Sequence, residues 1–219
     1  MHAVVFQLPL IAASAGVTIH AELSRPRLSK LVYVFKPLTT VLILILAAAL
    51  PFDPTVRYRS AVLAGLGFSL AGDVLLMLPG DRFVPGLLAF LAAHLAYLTA
   101  FTSLVRFGAS FAAIVALTIL VTAAIVVLWH HLPVRLRWPV VIYAAVIAAM
   151  AAQAIAQATA LGRPTLVGGA LGAVLFVVSD FLLVANRFLR PFRRAPLAVL
   201  GTYYAAQTLI ALSVQPPPG

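Results

Sequence analysis

Long unbroken apolar runs dominate this chain, as in "VLILILAAAL" at 41 to 50 and "FAAIVALTILVTAAIVVLW" at 111 to 129. A backbone held in hydrocarbon has no water to bond, so each run must satisfy its own N–H and C=O groups. The runs are continuous rather than alternating with period two, which predicts helices and excludes outer-membrane barrel strands. Composition agrees: 63% of residues are hydrophobic and 9% charged, against roughly 25% charged in a soluble domain. At about 20 residues per crossing, the chain holds eight spans, expected near 3–21, 31–50, 60–79, 86–105, 109–129, 138–160, 165–186 and 196–214. The expected fold is all-α, a polytopic membrane bundle forming one domain over residues 1–219, with no room for a separate soluble domain.

The breaks between runs carry proline, glycine and arginine, as in "SRPRLSK", "PGDRFVP" and "RFLRPFRRAP". The formal charge of +10 is scattered among these breaks and does not form a nucleic-acid surface. It reads as topology signalling instead. The odd-numbered loops and their flanks carry eleven basic residues, including Arg25, Arg27, Arg82, Arg187 and Arg190, and the even-numbered loops carry four. That split predicts cytoplasmic odd loops, with the N- and C-termini outside, in a bacterial-type inner (cell) membrane. The first run lacks a basic leader and a cleavage site, so it is expected to remain as a helix. Cysteine is absent, which excludes disulfides, thiolate metal sites and a cysteine nucleophile.

Only five residues are acidic, yet Asp73 in "AGDVLLMLPG" and Asp180 in "VVSDFLLVAN" fall inside apolar runs. An ionisable group there costs a few kcal/mol or more, and such groups usually face the bundle interior at functional sites. Aligned on the aspartate, "DVLL" matches "DFLL" and Gly65 matches Gly172. A four-plus-four pseudo-repeat would give both halves the same orientation and make the two Asp helices symmetry mates.

Few polar residues are available as partners: Lys36, His94, Tyr97, Tyr143, Asn186, Tyr203, Tyr204 and Gln207. Spacings of three and four place His94 with Tyr97, and Tyr203 or Tyr204 with Gln207, on shared helix faces. Lys36 suits either snorkelling to the interface or binding a phosphate. His94 suits an interhelical hydrogen bond, and the tyrosines an interfacial belt. The histidines are dispersed, so no metal site is expected. No phosphate-binding or dinucleotide fingerprint is present, so no cofactor is expected. "GFSLA" falls within a helical run and lacks the strand-to-helix turn of a nucleophile elbow.

The segments "KPLTT", "GFSLAGDVLLML", "FLAAHLAYLTAF", "VVSDFLLVANRF" and "YYAAQTLIALS" occur in this order along nearly the whole chain. In this combination the sequence resembles the lysoplasmalogenase, or YhhN-like, family of membrane proteins. The resemblance implies an eight-helix bundle that hydrolyses the vinyl ether of a lysophospholipid, the lysoplasmalogen. The implied products are a fatty aldehyde and glycerophosphoethanolamine or glycerophosphocholine. That chemistry needs a proton donor, a nearby anion and a positioned water, and Asp73 and Asp180 could supply the first two. Two carboxyls close together do not easily both ionise, so one can hold a proton while the other carries charge. Glycosidase carboxylates act so on a similar cation. Two other functions fit the same acids: a small proton-coupled transporter and a non-catalytic lipid-binding bundle.

Overall fold

The computed structural model describes residues 2–24, 29–51, 56–108 and 110–215. These form eight helices: α1 (His2–Leu23), α2 (Ser29–Ala49), α3 (Val56–Met77), α4 (Phe83–Thr102), α5 (Phe111–Leu128), α6 (Val134–Leu161), α7 (Pro164–Phe188) and α8 (Ala195–Leu212). Seven of them, α2 to α8, are long and apolar enough among the described residues to cross a membrane. Arg25, Arg27 and Gly219, which bear on the orientation, lie outside the described residues. Pro9, Pro37 and Pro139 fall inside α1, α2 and α6, and all three helices continue through them. Exposed Phe111, Ile119 and Val126 give α5 an apolar outer face suited to lipid.

Much of the packing matches the expected repeat, although α1 also packs on α8 while α5 has no matching contact with α4 among the described residues. α3 packs on α2 and α4, and α7 packs on α6 and α8; α1 lies on α2 as α5 lies on α6, and α8 meets α2 as α4 meets α6. Small residues permit the closest of these approaches. A Cβ on Gly65 would overlap the Tyr97 ring of α4, and one on Gly172 would lie 2.8 Å from the Ala206 carbonyl oxygen of α8. The glycines matched in the sequence thus do the same work in both halves. Arg187 at the end of α7 donates to Asp81 at 2.7 Å, which brings the α3–α4 and α7–α8 loops to one end of the bundle. At the other end Tyr58, early in α3, bonds Ser213, just beyond α8, at 2.8 Å.

Candidate active site between two aspartates

Asp73 is turned inward near the C-terminal end of α3, with its side chain 2% exposed. Its Oδ2 accepts from the Thr40 hydroxyl at 2.6 Å and from the Tyr203 hydroxyl at 2.7 Å. The Lys36 Nζ lies 3.9 Å from Oδ1. Lys36 and Thr40 share one face of α2 because they are one turn apart. Of the two readings for Lys36, snorkelling outward does not describe it: the ammonium points at a buried carboxyl. A buried acid so held has both a cation and hydrogen-bond donors to offset its desolvation.

Asp180 stands in the equivalent place on α7. Its Oδ2 accepts from the Tyr143 hydroxyl of α6 and lies 3.2 Å from Nε2 of His94 on α4. The Tyr143 hydroxyl is also 3.3 Å from that Nε2, so phenol, imidazole and carboxyl converge. His94 is fully buried, and its ring meets Phe176 edge-on at 4.7 Å between centroids. Phe176 also packs edge-on against Tyr203, at 5.5 Å. One aromatic ring therefore separates the partners of one acid from those of the other.

Both carboxyls line a single cavity of about 330 Å³, together with Lys36, Tyr203, Asn186 and Glu22. Asn186 also accepts from the Phe192 backbone N–H at 3.1 Å, which shapes the α7–α8 loop at the cavity rim. The other expected residues sit apart from the cavity wall. Tyr97 donates to Gln207 at 2.6 Å, bracing α4 against α8. Tyr204 donates to the Lys36 carbonyl at 3.5 Å, behind the lysine. Among the described residues no group of three or more His, Cys, Asp or Glu is placed to hold a metal ion. Thr40, Glu22 and Phe176 escaped the sequence reading, and Arg187 entered it only as a topology signal. Of the first three only Thr40 carried a signal, one turn after Lys36.

Several curated proteins are similar over most of this chain. Lysoplasmalogenase TMEM86B of Sus scrofa is 37% identical over 185 residues, 79% of this chain and 76% of that one. A lysoplasmalogenase of Mycobacterium bovis is 34% identical over 173 residues, 76% of this chain and 64% of its own. The uncharacterized membrane protein YhhN of Escherichia coli O157:H7 is 30% identical over 206 residues, 93% of this chain and 96% of that one. No solved structure matches. The pattern of the YhhN family matches residues 31–214, a stretch containing both aspartates and every side chain that holds them, and the chain belongs to that family.

Proposed function

We propose that this protein hydrolyses the vinyl ether bond of lysoplasmalogens inside the membrane, releasing a fatty aldehyde and glycerophosphoethanolamine or glycerophosphocholine. The observation that carries this reading is the shared cavity, in which two intramembrane carboxyls face the same space. Relatives named lysoplasmalogenase support the substrate class. Protonating the β-carbon of the vinyl ether leaves an oxocarbenium ion. Water adds to its charged carbon, and loss of a proton gives a hemiacetal. The hemiacetal then collapses to aldehyde and alcohol, consuming one water overall. Asp180 is the proton donor in this scheme, since its imidazole neighbour can take up a proton and give it back to restore the acid. Asp73, beside the Lys36 ammonium, is the counter-anion that steadies the cation and receives the water's proton. Tyr203 and Thr40 fix its carboxyl; Lys36 and Asn186 lie where a head group enters. The eight helices run unbroken, unlike the discontinuous helices typical of transporter sites.

The test is to incubate the purified protein with lysoplasmenylcholine in oxygen-18 water. Long-chain aldehyde should form, with glycerophosphocholine left unlabelled because water attacks the vinyl carbon. Absence of aldehyde above a heat-treated control contradicts the activity, and label in the glycerol oxygen contradicts the mechanism. The charge distribution supports an orientation with the α7–α8 loop in the cytoplasm and the termini outside. A cysteine introduced at Arg190 should resist an impermeant reagent in intact cells; its labelling would reverse the orientation.

A further inference from the structure

The geometry points to the groove between α5, α6 and α7 as the binding site for the substrate's hydrocarbon chain. Asp180 marks the place where the chain gives way to the polar head. This inference rests on the lysoplasmalogen reading and adds to it a site and a direction of entry. The groove has a volume of about 320 Å³. Leu120 and Ala124 of α5, Ala144 and Ile147 of α6, and Val177 and Phe181 of α7 are among its apolar walls. Only two polar residues line it, Tyr143 and Asp180. Asp180 is also in the wall of the polar cavity beside Lys36 and Arg187. An almost wholly apolar groove and a cavity that also holds charged groups therefore meet at one carboxyl.

That junction explains a difference between the acids. The Asp180 side chain is 15% exposed and that of Asp73 only 2%, because Asp180 opens to both spaces. It also matches one kind of ligand, a single-chain amphiphile whose reactive bond joins tail to head. With the tail in the groove and the phosphate toward Lys36 and Arg187, the ether lies beside Asp180. The groove residues of α5, from Leu120 to Leu128, cover about 12 Å of chain at 1.5 Å per residue. α5 packs mainly on α6 and touches α7 only slightly, so a chain can slide in laterally from the bilayer. A second apolar groove, between α5 and α6 near Gln153, has similar volume but reaches neither aspartate. It offers the tail a place with no chemistry.

The test uses the wild-type protein in detergent and a lysophosphatidylcholine carrying a mid-chain diazirine. After illumination, labelled peptides should fall on the Leu120–Leu128 and Val177–Val184 stretches. Excess lysoplasmenylcholine should suppress the labelling, and a diacyl phosphatidylcholine should not. Labelling spread over the outer helix faces, confined to the Gln153 groove, or displaced equally by diacyl lipid would overturn the proposal. Ala124→Phe, which fills the groove from its least packed helix, should raise KM for a long-chain substrate by about tenfold or more. A short-chain substrate should be little affected. Equal effects on both chains would overturn the proposal too. If the label maps to the groove but the wild type releases no aldehyde, the hydrolytic reading fails and the chain site stands.

Discussion

Asp73 and Asp180 occupy matching positions in the two halves, yet they keep different company. Asp73 on α3 is held from α2 and α8, and Asp180 on α7 from α6 and α4. Advancing each helix by four places turns one set of helices into the other. The scaffold is thus repeated while the side chains have diverged. An ammonium, the Thr40 hydroxyl and the Tyr203 phenol surround one acid; the His94 imidazole and the Tyr143 phenol surround the other. The phenol is common to both, so the difference lies in an ammonium and an alcohol, which fix a charge in place, against an imidazole, which can pass a proton. The repeat therefore accounts for two acids at matching positions, and the divergence matches the two roles proposed for them.

Removing the acids should have the largest effect and breaks the comparison outright if it does not. Asp180→Asn should lower kcat by about a hundred- to ten-thousand-fold, the usual worth of a positioned proton donor. Asp73→Asn should lower it by about a hundred- to a thousand-fold, as for loss of a group stabilising transition-state charge. Lysolipid binding, measured directly, should survive in both. Next comes His94→Gln, which should slow turnover by about tenfold, less than loss of the donor itself. Wild-type turnover should be slower in deuterium oxide when carbon protonation limits the rate, and His94→Gln should enlarge that slowing. A His94 that only fills space would leave the isotope effect unchanged. Thr40→Val should cost least, about 1 kcal/mol or a few-fold in rate, since Tyr203 still donates to Asp73. Its isotope effect should equal that of the wild type, which sharpens the contrast between the two neighbourhoods.

The helices were legible because hydrocarbon admits so few alternatives. Their ends were less so. α6 was expected from 138 but begins at Val134, because hydropathy falls at Arg135 and Arg137 while the helix continues into the interface. There the Arg137 guanidinium lies over the Trp129 ring at 5.0 Å. The two acids were legible for a similar reason: an ionisable group inside an apolar run is costly and therefore conspicuous. Which partner serves which acid was not. His94 lies on α4, the neighbour of α3, yet its imidazole turns to Asp180 on α7. Only the packing of α4 between Asp73's helix and α6 decides that. Phe176 gave no signal, being one apolar residue in an apolar run. Tyr97 and Gln207 share faces with His94 and Tyr203 as expected, but bond each other instead of lining the cavity.

The central claim is that both carboxyls act on one bond in one step, and the double variant tests it most directly. Aldehyde release should be measured for the wild type, for Asp73→Asn, for Asp180→Asn and for the two changes combined. Groups that act as a unit give strongly non-additive losses. The account expects the double variant to be about as slow as the worse single variant, with all four proteins folded and binding lysolipid. Either single variant retaining near wild-type turnover, or losses that multiply in the double variant, would contradict it.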